Sequence, residues 1–165
     1  MQTISRITDC RPSISSSTSD PFTARFGCGM PRGLRAQAQG MSWTDFVDRY
    51  SPSPSSGGLR LGSWSMTEGR AGLHDYDAIL EFDGRTRAFR TSGPGPIGAL
   101  TAVLHEAGRS IEILSFHQQP VTEGTATFVH CEHDGRRHWA MAISDRPTDS
   151  ALRAVIAAAN ILTDR

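Results

Sequence analysis

Two stretches of the chain carry residue types that can do chemistry. The first is SGPGPIGALTAVLHEAG, residues 92–108, where glycines and prolines lead into an apolar run. A helix that opens this way presents unpaired backbone N–H groups and a partial positive charge, which suits a carboxylate or a phosphate. Pro94 and Pro96 have no N–H to give, so the donors are Gly95, Ile97, Gly98 and Ala99. That is enough for one small anion. A phosphate loop requires Gly-Lys-Ser/Thr, and a dinucleotide turn requires a third glycine at fixed spacing; the stretch has neither. The plain structural alternative is a rigid strand-to-helix turn, with Pro96 at the first helical position where proline is favoured.

The second stretch holds Cys131, His133 and His138. If Asp134-Gly135 is a two-residue turn, Cys131 lies across from His138, and His133 shares the face of Cys131. Three residues of metal-ligand type on one sheet face make a metal-dependent enzyme the rival reading. A structural zinc site wants four ligands. The alternative is a small buried cysteine beside two hydrogen-bonded histidines. The carboxylates of DYD (75–77) and EFD (81–83) show no spacing that singles out an acid/base pair. Ser110, Ser144 and Ser150 lack a nucleophile-elbow context.

The elements that must position these residues follow from periodicity. MSWTDFVDRY, residues 41–50, reads as a helix capped by Ser42, with Asp45 three residues on. SPSPSSGG, residues 51–58, reads as a flexible linker. Strands are expected at 59–66, 75–82 and 85–91, the last two joined by Asp83-Gly84, a strong two-residue hairpin signal. A helix follows with Ile97, Leu100, Val103, Leu104 and Ala107 on one stripe. The order then repeats: strands at 110–118, 125–133 and 136–144, a second Asp-Gly turn at Asp134-Gly135, and a helix at 148–162. The two Asp-Gly-Arg turns stand 51 positions apart, as do Pro96 and Pro147. This is the mark of an internal duplication. The fold class expected is α+β: two βββα units related by a pseudo-twofold, with helices packed on antiparallel sheets.

Residues 1–40 are rich in Ser, Gly, Pro and Arg and show no sustained apolar period, so they read as a disordered, dispensable tail. Met41 reads as the natural start. The core domain is expected at 59–165, after the short helix and linker of 41–58. Arginines and acids balance at 17 each, a net charge of zero that argues against nucleic acid as partner. Every basic residue is arginine, which removes Schiff-base and phosphate-loop lysines. No apolar run approaches the ~20 residues that span a bilayer. Cys10, Cys28 and Cys131 form no CxxC, which argues against a disulfide framework and points to a cytoplasmic setting.

From about residue 44 onward the chain resembles the C-terminal regulatory (allosteric, dimerisation) domain of 2-isopropylmalate synthase. The resemblance rests on Gly93-Pro94-Gly95-Pro96-Ile97, on IEILSFH (111–117), on SALRAVIAAANIL (150–162) and on FVDRY (46–50). It implies a homodimer that binds an amino-acid inhibitor, leucine first, at the dimer interface in a pathway of leucine biosynthesis. It further implies a ligand pocket of Gly93, Gly95 and Ile97 at the helix turn, with Gly98 as a further backbone donor. Ile113 and Phe116 would lie on the strand, and Pro120 and Thr125 on the segment after it. The helix N-terminus would take the carboxylate, and Ile97, Ile113 and Phe116 the branched side chain. Pro94 stands where the family often has asparagine, Phe116 where it has tyrosine, Ser115 where it has an acid, and His117 where it has a second aromatic. The synthase's catalysis resides in a TIM barrel of roughly 250 residues with a metal on an H-x-H pair, and this sequence has no H-x-H. The implied role is therefore regulatory, not enzymatic, and without a cofactor. The chain would be a stand-alone module, acting in trans on a barrel-containing, acyl-CoA-condensing synthase, or a dimerisation module that binds no ligand. Phe128, Trp139, Met141 and Ile143 share one strand face and Cys131, Ala140 and Ala142 the other, so a dimer is expected to cover one of them.

Overall fold

In the computed structural model, residues 19–56 and 58–163 are described. Three short helices come first: α1 (Pro21–Phe26), α2 (Arg32–Ala38) and α3 (Trp43–Tyr50). Two repeats follow. The first is β1 (Arg60–Glu68), β2 (His74–Phe82), β3 (Arg85–Gly93) and α4 (Pro96–Glu106). The second is β4 (Glu112–Val121), β5 (Gly124–His133), β6 (Arg136–Ser144) and α5 (Pro147–Thr163). Each repeat makes its own three-stranded antiparallel sheet, in the order β1-β2-β3 and β4-β5-β6. The fold is the expected α+β arrangement of two βββα units.

The duplication extends below the level of element order. Asp83 and Gly84 have φ of 52° and 69°, and Asp134 and Gly135 have 49° and 75°. Two consecutive left-handed residues make the turn whose twist matches a hairpin, which is why Asp-Gly occupies both. The first strand of each repeat carries one register shift, between Leu61 and Ser63 in β1 and between Ile113 and Ser115 in β4. Equivalent residues are 52 apart in the first strand and 51 apart from the second strand onward, because the connection between the paired Glu68 and His74 is one residue longer than that between the paired Pro120 and Thr125.

One core joins the repeats. Ala78, Leu80 and Phe89 of the first sheet and Val129, Cys131 and Ala140 of the second meet Leu100, Val103 and Leu104 of α4 and Leu152, Val155 and Ala159 of α5. Asn160 of α5 closes this core at the start of the first repeat: its amide donates to the Leu59 carbonyl (2.9 Å) and accepts from the Leu59 N–H (2.8 Å). It reproduces the pairing of a strand at a buried point where no strand exists.

The N-terminal region departs from expectation. The part of the supposed disordered tail that is described, residues 19–40, folds; residues 1–18 lie outside the described residues. Asp20 caps α1 by accepting from Thr23 N (2.8 Å), Pro21 takes the first helical position, and Gly27 ends the helix with φ 70°. Phe22, Met30, Leu34 and Ala38, with Phe46 and Tyr50 of α3, bury against Ala126, Phe128, Trp139 and Met141. The sheet face expected to need a second chain is covered by this chain's own N-terminal helices. The physical reason is area: three helices too short to persist alone place aromatic rings on a flat apolar face.

Candidate ligand site

The helix that opens residues 92–108 is α4, and its N-terminus is bare. Gly95 is the N-cap and offers no side-chain acceptor, Pro96 follows, and the first turn contains no acidic residue. The first helical bond runs from Ala99 N to the Gly95 carbonyl (3.2 Å). Gly93 ends β3 and pairs with His74 of β2. Gly95 has φ −160°, ordinary extended backbone that any residue adopts. A Cβ built at Gly95 or Gly98 meets nothing within 4 Å, and one at Gly93 only touches the Gly95 carbonyl at 4.0 Å. Neither backbone nor packing requires glycine at these positions.

At the equivalent end of α5 the polar side chains are paired with one another and with nearby carbonyls. Ser150 Oγ donates to the Ala142 carbonyl (3.1 Å) and lies 2.7 Å from Thr127 Oγ1. Gln118 reaches both Thr127 Oγ1 (3.0 Å) and the Pro147 carbonyl (2.7 Å). Asp149 in the first turn pairs with Arg146 (3.2 Å). Ser150 and Asn160, both in the stretch that carries the resemblance of the last helix, therefore hold the fold together. Their burial inside a helix of apolar neighbours was the available signal.

The residues expected to form one pocket fall into two groups. Gly93, Gly95, Ile97 and Gly98 gather at the start of α4, with Ile97 half-buried at the margin of the main core. Ile113 packs at the margin of the same core and pairs with Cys131. Phe116 pairs with Val129 and remains 40% exposed. It lines a groove with Gly29, Met30, Pro31 and Gln119, and the α4 glycines are not among its walls. Pro120 and Thr125 pair with each other at the end of the β4–β5 hairpin. A separate cavity of about 280 Å³ lies between residues 51–54, β1, β6 and α5, with apolar walls from Leu61, Ile143 and Ile156 and with Arg60 and Arg153 at its edge.

The metal reading is corrected. Cys131 does pair with His138, as the turn dictated. But His133 Nδ1 is 2.6 Å from the Ser110 carbonyl and His138 Nδ1 is 2.5 Å from the Trp139 carbonyl. Burial pushes the Cys131 thiol up to about 12, far from the thiolate a metal needs. Among the described residues, no group of three or more His, Cys, Asp or Glu is placed to hold a metal ion.

Two βββα repeats around one core, with the N-terminus of α4 free of side-chain caps and acids and that of α5 carrying Asp149 in its first turn, define a duplicated domain. Residues 44–163 match the family described as the LeuA allosteric (dimerisation) domain, and the chain belongs to that family. It is 32% identical to the 2-isopropylmalate synthase of Renibacterium salmoninarum over 128 residues, covering 72% of this chain and 22% of that protein. It is 32% identical over 126 residues to that of an Arthrobacter species, with the same coverage, and 33% identical over 125 residues to that of Corynebacterium glutamicum, covering 73% and 20%. The chain thus spans about a fifth of the length of these relatives. None of the described helices is long and apolar enough to cross a membrane.

Proposed function

We propose that the chain is a non-catalytic regulatory and dimerisation module of leucine biosynthesis, acting in the cytoplasm. It binds a branched-chain amino acid, leucine first, and acts in trans on a barrel-containing synthase. The observation that carries this reading is Gly98. It sits in the first turn of α4, where glycine costs up to ~1 kcal/mol relative to alanine, and no neighbour forbids a side chain. Bare N–H groups of Ile97 and Gly98, a first turn without acids and three glycines with open space beside them fit an approaching carboxylate. Ile97 and Ile113 offer the apolar end of the site. Phe116, which lines a different groove, and Pro120 and Thr125 at the hairpin end reach the ligand, in this reading, from the partner chain of a homodimer.

Titration calorimetry with leucine, isoleucine and valine tests the proposal. Saturable heat with leucine, lost in Gly95→Val and retained in Arg153→Ala, is the expected result. Loss in Arg153→Ala alone would move the site to the 280 Å³ cavity. No heat and no thermal shift at millimolar amino acid would sink the sensor reading and leave a ligand-free dimerisation module.

A further inference from the structure

Buried polar atoms in folded proteins are nearly all paired. Among the described residues two buried side-chain atoms have no partner, the Tyr76 hydroxyl and His74 Nδ1. They stand two residues apart on β2, next to each other in space, with ring centroids 6.3 Å apart. Tyr76 is 1% exposed. His74 pairs with Gly93, the first glycine of the turn into α4.

The second repeat shows where Tyr76 points. Its equivalent 51 positions on is Thr127, whose hydroxyl lies 2.7 Å from Ser150 in the first turn of α5. The equivalent of Ser150 is Ala99, in the first turn of α4. The equivalent of Gln118, 52 positions back because the β1–β2 connection is one residue longer, is Met66. The first repeat therefore places Tyr76 at the equivalent strand position with those polar partners absent. Ala99 and Met66 offer no donor or acceptor, and a phenol replaces the shorter threonine. The ring is held against Trp64, with centroids 5.2 Å apart. The helix that follows in this repeat, α4, has neither a side-chain cap nor an acid in its first turn.

We propose that Tyr76 and His74 form the buried polar wall of the ligand site at α4, and that the Tyr76 hydroxyl donates to the ligand's carboxylate beside the N–H groups of Ile97 and Gly98. The inference rests on the reading that an amino acid docks at this helix. It adds residues from a strand that the glycine turn alone does not reveal. The second repeat cannot offer the same wall, because Gln118, Thr127 and Ser150 already satisfy one another.

The test is Tyr76→Phe, which removes one oxygen and keeps the ring. Calorimetry is run on the unmodified chain and the variant with leucine and with leucinamide, which lacks the carboxylate. Melting without ligand is measured in parallel. At least a tenfold loss of leucine affinity in the variant is expected, with leucinamide affinity unchanged and an unliganded melting temperature equal to or above that of the unmodified chain. Equal leucine affinity in both proteins overturns the inference and leaves the leucine reading standing. An equal loss for leucinamide overturns the carboxylate assignment. A drop of several degrees in the unliganded variant shows that the hydroxyl is already bonded within the chain, and overturns it too. Absence of leucine binding by the unmodified chain overturns both readings together.

Discussion

Single residues separate what the fold demands from what it merely permits. Gly124 has φ +127°, and a Cβ there would collide with the Ser144 carbonyl. Gly124→Ala should cost about 1–3 kcal/mol for the backbone conformation alone, seen as a lower denaturation midpoint. Gly98→Ala should do the opposite, raising stability by up to ~1 kcal/mol while weakening leucine binding; a gain in stability with unchanged binding would remove the functional reason for glycine. His130 stacks on Trp139 with centroids 4.7 Å apart. Burial first, then the nearby charges of Arg137 and His138, lower its pKa from 6.5. Folding therefore favours the neutral ring. Its contribution is complete above the unfolded value near 6.5 and is lost as the pH falls from there through the lower folded value. His130→Gln should show a shallower fall in melting temperature between pH 7 and 5 than the unmodified chain. At this scale the sequence spoke unevenly. The glycines of the α4 turn were visible as a motif, but Tyr76 was not, because an unpaired hydroxyl is a fact about neighbours and not about residue type.

Elements carry the largest departure from what composition implied. Phe22, Phe26, Met30, Leu34 and Ala38 are spaced by four, but Gly27 and Pro31 break the run into helices of 6 and 7 residues. The apolar period was thus hidden inside a Ser/Gly/Pro-rich stretch. Asp20-Pro21 and Gly27 serve as cap, first position and stop, signals lost when the stretch is read whole as a tail. Removing residues 1–40 should therefore lower the melting temperature by many degrees and expose Phe128, Trp139 and Met141 to a hydrophobic dye. Phe22→Ala, a fully buried ring, should cost about 3–5 kcal/mol by chemical denaturation. An unchanged midpoint would show that the helices do not hold the sheet face. Asn160 behaves as a clamp between elements. Asn160→Leu strands both backbone groups of Leu59 and should cost about 1–3 kcal/mol for each group left unpaired. The six strands and the helices of both repeats, by contrast, were readable, with ends within about three residues of those observed, though the register shifts of β1 and β4 were not. Their periods are long, and Asp-Gly specifies its own turn.

For the whole molecule, the duplication was legible in the spacing of turns and prolines, and the structure extends it to a shared register shift. Light scattering should give the mass of two chains at micromolar concentration. The exposed apolar side chains Met66, Leu114 and Phe116, on the first strands of the two repeats, are available to a partner now that the outer face of the second sheet is occupied. That occupation also fixes an order of events. Within each repeat, strand partners lie at most 21 positions apart, as Arg60 and Glu81 do, whereas Phe22 and Phe46 meet Phe128 and Met141 across roughly 80–120 positions. Loops of that length close late, after local contacts have formed. On the ribosome, α1 to α3 emerge first and wait for β5 and β6 with their aromatic rings in water, so nascent chains stalled before residue 124 are the aggregation-prone ones. In the finished protein the same helices are the part held by the most distant contacts. Their amides should exchange with solvent deuterium through a separate, lower-energy opening, while those of β5 and β6 exchange only when the whole molecule unfolds.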